Sequence, residues 1–351
     1  MRQYRTILST LLLGVLAAVI FSACQPQAPV DEPKNKLHDD PARMEITLFR
    51  THFHGMAPHV SGGTKGVKHG ASEQTMVLEL QQGKGFVINK EKGVSRFVVT
   101  GNLGGGLYEP AGTYPSPVDP AKRTWTDDTF RPEKYNAGYT QYGMIIKYFN
   151  NAGEEITGQF ATGGQEKIHQ HFFIAKNIQW MKNATDRTAE LKSGYEYYYY
   201  YYFDTDPWNK LIREHARYTG ISNPIGLKGY LEFYQPETSF DLNILLLHAR
   251  GSKYNSSTGK PSPFTGPTPG QRLKDDFDLN VTVPVVIYAN ENEFEENVEF
   301  KDIDHLNTKE QSIVRRLAEA AGVSEKEAFE SLHNRVHGEL LPHDQKSGLG
   351  L

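Results

Sequence analysis

Apolar and polar residues alternate with a period of two in run after run of this chain, the pattern of strands with one buried face. Met44 to Phe53, Thr75 to Leu80, Gly85 to Asn89, Val94 to Val99, Tyr142 to Phe149, Ile168 to Trp180 and Tyr195 to Phe203 are each rich in β-branched or aromatic residues and bounded by turn residues. They are followed by Gly229 to Tyr234, Ser239 to Ala249 and Phe277 to Ala289, the last two separated by a Gly/Pro/Ser/Thr-rich loop. Two stretches without periodicity, Ser61 to Gly70 and Gly101 to Asn136, read as loops. Helical spacing enters in two places. Asp206 and Pro207 offer an N-cap and a first-turn proline to a connecting helix that would place Trp208, Leu211, Ile212, His215 and Tyr218 on one face before Gly220 stops it. Near the end, Thr308 to Gln311 and Ser324 to Glu327 are capping-box patterns heading a helical hairpin.

These elements predict a mainly β protein with two β-sandwich-like domains, residues 44–204 and 205–305, the second opened by the connecting helix, then the C-terminal helical hairpin and tail over 306–351. Both halves carry a strand running into histidine and glycine, Thr51 to Gly55 and Leu247 to Gly251, and the tetrapeptide Phe-Asp-Leu-Asn occurs at 240–243 and again at 277–280. Either the β domain is duplicated or two β domains share turn chemistry. The aromatic run Tyr195 to Phe203 reads as a strand buried on both faces or an interdomain seam; a stacking platform for sugar rings or a porphyrin is the sharper alternative.

The N-terminus adds an address. Arg2 and Arg5 precede an apolar run from Ile7 to Phe21, too short to span a bilayer and of signal-peptide form. The run ends in Phe21-Ser22-Ala23-Cys24, and Cys24 is the single cysteine of the chain. This resembles the lipobox of bacterial lipoproteins, with Phe21 where leucine is usual. The resemblance implies a signal peptide over 1–23, lipidation (palmitate included) of Cys24 and a lipid-anchored protein; Gln25 after the cysteine favours the outer membrane. Residues 24–43, rich in Pro, Asp, Glu and Lys, then read as a flexible tether.

Charge and cysteine content narrow the chemistry. Thirty-eight Lys and Arg against 42 Asp and Glu give a net charge of −4, which does not suit a nucleic-acid partner. With Cys24 committed to lipid, thiolate metal sites and disulfides are excluded from the folded part. The candidate chemistry lies in the 13 histidines. His52 with His54 and His169 with His171 have His-x-His spacing, which on a strand turns both imidazoles to one face about 6.6 Å apart. Four imidazoles from neighbouring strands would suit Zn²⁺ or Cu²⁺ and, less well, Fe or haem. His59 and His69, in the glycine-rich loop, are further candidate ligands. His333 and His337 share a helix face, without the Glu a zinc-protease motif needs at Asn334. Arg50 to Gly55 resembles the His-x-His that ends the first strand in amidohydrolases, a family that requires a (β/α)₈ barrel the strand pattern does not provide.

The expected function is that of a lipid-anchored cell-envelope protein capturing a metal ion or a haem-type complex through first-domain histidines, with an outer-membrane transporter as a candidate partner. A glycan-binding or envelope-assembly lipoprotein with structural histidines is the alternative, and a metal-dependent hydrolase ranks third. Replacing Cys24 with Ala should abolish lipid labelling and move the protein from membrane to soluble fractions; a variant that stays lipid-labelled would refute the lipobox assignment.

Overall fold

A computed structural model describes residues 35–52, 73–101, 140–185, 187, 191, 197–210, 216–290, 293 and 303–337. Contacts divide the chain into Met1–Lys36 and Leu37–Leu351, and every strand and helix described lies in the second unit. The signal peptide, Cys24, His54, His59 and His69 fall outside the described residues, as do the stretches read as loops, Ser61 to Gly70 and, past Gly101 itself, Gly101 to Asn136.

Twelve strands are present among the described residues, and ten of them match the alternating runs. In chain order they are β1 Arg43–His52, β2 Glu73–Gln81, β3 Gly85–Ile88, β4 Phe97–Gly101, β5 Thr140–Phe149, β6 His169–Trp180, β7 Tyr198–Tyr202, β8 Thr205–Asp206, β9 Arg217–Tyr218, β10 Lys228–Phe233, β11 Thr238–His248 and β12 Asp276–Asn290. One sheet has the order β3-β2-β1-β5-β10-β7 and the other β4-β12-β11-β6, all antiparallel except β4 with β12. Alternate residues of each sheet meet in a single apolar core. Met44, Ile46 and Leu48 of β1 and Met144, Ile146 and Tyr148 of β5 join Leu242, Ile244 and Leu246 of β11 and Val281, Val283 and Val285 of β12. This is a β-sandwich.

The topology corrects the expected boundary at 204/205. β10, from the second half, lies between β5 and β7, while β4 and β6, from the first half, flank β12 and β11. Strands from both halves build each sheet, so the division into 44–204 and 205–305 runs through both. The two Phe-Asp-Leu-Asn segments lie on β11 and β12, which pair with each other, and Asn243 Nδ2 donates to Asn280 Oδ1 at 2.8 Å. They are neighbours in one sheet.

The connecting helix is also corrected. Thr205–Asp206 pairs with Arg217–Tyr218, and Arg217 meets Asp206 at 2.9 Å, so the chain leaves and returns as a hairpin. A continuous helix from 206 to 219 would carry those ends about 20 Å apart. The aromatic run is buried on both faces, as the first reading of it held, but β7 is the last strand of its sheet. Its edge is covered by Phe264, whose ring packs on Tyr198, Tyr199 and Tyr200 and whose carbonyl accepts from Phe173 N–H at 2.8 Å. The hydroxyls of Tyr198 and Tyr202 donate to the carbonyls of Phe173 and His171 on the opposing sheet. No ring of Tyr198–Tyr202 is left for stacking a sugar or porphyrin. On the neighbouring strand Gly229 is required, because a Cβ there would run into the Tyr200 ring.

Three α-helices complete the described fold: α1 Pro269–Lys274, α2 Thr308–Ala321 and α3 Glu325–His337. The helical hairpin is present, and its first cap lies one residue earlier than expected, with Asn307 and Glu310 exchanging hydrogen bonds. Ser324 and Glu327 form the second box. Ile313, Val314 and Leu317 of α2 cover Val286 and Tyr288 on the outer face of β12. Arg316, buried beneath α2, donates to Tyr288 O at 2.8 Å and pairs with Glu237 at 2.6 Å.

A chain ending at residue 204 would lack β10, β11 and β12 and leave both sheets open at their centres. It should show no cooperative urea transition by circular dichroism; a sharp transition with a β spectrum would contradict the interleaved topology.

Candidate metal centre

One end of the second sheet gathers three polar side chains where an apolar core would be expected. His169 opens β6 and His248 closes β11, and the antiparallel register sets them opposite each other. Both follow the inward-facing alternation of their strands. The third comes from a defect in the ladder. Leu246 pairs with Leu279 but Leu247 pairs with Phe277, so Asp278 has no register partner and forms a β-bulge. A bulge bends its strand and re-aims a side chain, and here it turns the Asp278 carboxylate to the two imidazoles.

The fourth member arrives from outside the sheet. His38 lies five residues before β1, and its side chain is fully buried. Residues 37–43, expected to belong to a tether over 24–43, are therefore part of the compact unit. A loop between β5 and β6 supports the cluster from behind. Phe160 lies against His38 with ring centroids 4.2 Å apart and against His169 at 5.2 Å. Gly164, with φ at +92°, turns the chain so that Gln165 presents its carbonyl to His169.

Four atoms converge: His38 Nε2, His169 Nε2, His248 Nδ1 and Asp278 Oδ2. The separations are 3.2 Å for His38–His169, 3.3 Å for His38–His248, 3.1 Å for His169–His248, and 3.1 Å from Asp278 to each histidine. Six nearly equal separations define a regular tetrahedron. Its centre lies about 0.61 of the edge from each corner, hence about 1.9–2.0 Å away, against Zn–N and Zn–O distances of about 2.0–2.2 Å. The three histidine side chains are 0% exposed and Asp278 is 10% exposed.

Hydrogen bonding on the far side of the rings fixes what the inner atoms present. His38 Nδ1 lies 3.0 Å from Asp39 O and His169 Nδ1 lies 2.9 Å from Gln165 O. A carbonyl only accepts, so both Nδ1 atoms carry the proton and both neutral rings turn a bare Nε2 lone pair to the centre. Metal-ligating histidines are held in this way. One proton would bridge one of the six edges and leave five repulsive contacts; one cation at the centre satisfies all four atoms. Burial raises the Asp278 carboxyl, but the three imidazoles gathered around it outweigh that and hold the group far below the usual carboxylate range. Burial lowers the pKa of His169 despite the opposing Asp278 charge, keeping the imidazole neutral at physiological pH. The cluster can hold a metal ion.

His171 shares the inward face of β6 with His169 but has a different task. Tyr148 of β5 donates its hydroxyl to His171 Nε2 at 2.6 Å, and His171 Nδ1 donates to Ile225 O at 2.7 Å. Both ring nitrogens are thus used, one in joining the two sheets and one in holding the segment that leads into β10. Asp204 fixes the Ile225 backbone by accepting from the N–H groups of Ile225, Gly226, Leu227 and Lys228 at 2.8–3.2 Å. The Lys253 ammonium, drawn by burial down to about 7 against the charges of Asp204 and Glu166, ties His169 O, Glu166 O and Pro224 O together.

Of the sequence candidates, then, His169 is in the cluster, and His171 is a separate structural pin. His52 ends β1, about 30 Å along the strand from Arg43 at roughly 3.3 Å per residue, and so lies at the opposite end from His38. His333 packs on Phe329 of α3, with ring centroids 5.9 Å apart. His38, His248 and Asp278 were not among the expected ligands. Comparison with protein-family models, curated proteins and solved structures gives no match, so the chain's own geometry carries the functional reading.

Burial lowers the pKa of His171 to about 4, while the unfolded chain takes up that proton near 6.5. Between those values the unfolded state binds more protons, so stability falls as pH falls through this window, by roughly 2 kcal/mol from pH 7 to pH 5 for this residue. Urea midpoints of metal-free protein should show that slope, and His171→Gln should flatten it. An unchanged slope in the variant would rule out His171 as a buried neutral group.

Proposed function

We propose that this protein is a lipid-anchored metal-binding protein of the cell envelope that holds one Zn²⁺ between His38, His169, His248 and Asp278. The observation that carries the reading is the near-regular tetrahedron of three imidazole nitrogens and one carboxylate oxygen, two of the nitrogens fixed as lone-pair donors by backbone carbonyls.

Zinc is favoured over the other candidates by shape. Cu²⁺ prefers a tetragonal arrangement, and the softer Cu⁺ is best served by thiolates or thioethers, neither of which is in the cluster. Haem needs room for the flat macrocycle beside its axial ligand, whereas these four atoms close around a point. Four protein ligands also fill a tetrahedral ion, leaving no position for an activated water. That supports capture and retention of the ion over hydrolysis. Anchoring through Cys24 rests on the lipobox-like sequence and would keep the centre at the membrane, in reach of a transporter.

Titration of chelator-stripped protein with Zn²⁺ should give one site per chain. Replacing His169, His248 or Asp278 by Ala should weaken it by more than about 100-fold, beyond the range for losing an outer hydrogen bond alone, whereas His52→Ala/His54→Ala and His171→Gln should bind as wild type. Protons compete for the imidazoles, so affinity should drop steeply from pH 7 to pH 5. Zinc at about 100 times Kd should stabilise the fold by about 3 kcal/mol. Full binding by the Asp278→Ala and His169→Ala variants would overturn the assignment.

A further inference from the structure

Three of the four ligands belong to one rigid body and the fourth does not. His169, His248 and Asp278 lie on β6, β11 and β12, which hydrogen-bond side by side, so none can withdraw without opening the sheet. His38 sits on an irregular segment that enters the ladder only at Ala42, whose N–H donates to Phe149 O at 2.8 Å. Between these points a side-chain pair at the surface ties the segment down. Asp39 N–H donates to Gln159 Oε1 at 2.7 Å, and Gln159 Nε2 donates to Asp39 Oδ2 at 3.1 Å. Leu37, immediately before the buried His38, is 69% exposed.

We infer that residues 37–42 form a strap over the metal centre, and that the ion enters and leaves by release of His38. The inference rests on the metal reading given above. With the ligand side chains between 0 and 10% exposed, an ion cannot pass without movement of one of them. Water competes well for exposed hydrogen bonds and poorly for a buried ladder, so the Asp39–Gln159 clasp gives way first. Phe160, next in sequence to Gln159, forms the apolar seat on which the His38 ring closes. Release of His38 leaves the ion on two imidazoles and a carboxylate, with its open position turned to the departed strap, and an incoming water or donor completes the exchange. Docking of the N-terminal segment and retention of the ion are then one equilibrium, each favouring the other to the same extent.

The test uses the full chain loaded with Zn²⁺ and mixed with an excess of a chromophoric chelator. Gln159→Ala and Gln159→Leu, which touch no metal, should release zinc about tenfold faster than wild type while still binding one ion per chain. Hydrogen exchange in residues 38–42 should slow by about the same factor when Zn²⁺ is added, with smaller changes in β6, β11 and β12. Wild-type release rates in both variants, or equal exchange in 38–42 with and without zinc, would overturn the strap while leaving the metal site standing. Failure of the wild-type protein to take up Zn²⁺ would overturn the site and the strap together.

Discussion

Lone pairs on three nitrogens and a carboxylate oxygen repel one another, and at 3.1–3.3 Å in a dry interior no solvent screens the repulsion. The end of the sandwich is organised around that constraint. The register places two histidines opposite each other, the bulge turns an aspartate to them, and backbone carbonyls of Asp39 and Gln165 hold two protons on the outer ring nitrogens. Each of these features raises the electrostatic cost of the cluster without a cation and lowers it with one. An ion held there would therefore be coupled to local folding, as in metal sites built from deprotonated ligands.

His169 and His171 show how two residues alone on a strand can differ in role. They share a face and both are fully buried. His169 lies at the strand's opening residue, where the sheet ends and a loop and the N-terminal segment can bring further ligands. His171 lies one pleat deeper, facing Tyr148, and completes its hydrogen bonds with that hydroxyl and with Ile225 O. Position relative to the sheet's end decides between ligand and pin, and spacing carries no information about it.

Much of the fold was legible because burial of one sheet face imposes a period of two, and ten runs showed it. Which strand pairs with which left no trace in that period, so the interleaving of the halves went unread and a boundary was set where the chain merely makes a hairpin at Asp206 and Arg217. Capping chemistry was readable to within a residue at α2, and the Thr268, Pro269 and Gln271 signal of α1 was present in a loop-like composition. The site was less legible. His38 sits in a polar stretch indistinguishable from a tether by composition, Asp278 matters only because a bulge re-aims it, and His248 was noticed for its glycine neighbour rather than as a ligand. Ligands on separate elements share no sequence spacing to be found.

The parallel pairing of β4 with β12 has a consequence in time. Phe97 meets Val285, so a strand made early waits for the last of the described strands, and the loop to be closed spans about half of the chain. Non-local pairing of this kind slows folding and leaves early strands unpaired meanwhile. β4 therefore lacks its partner until β12 has been made, while β1, β2, β3 and β5 can pair among themselves.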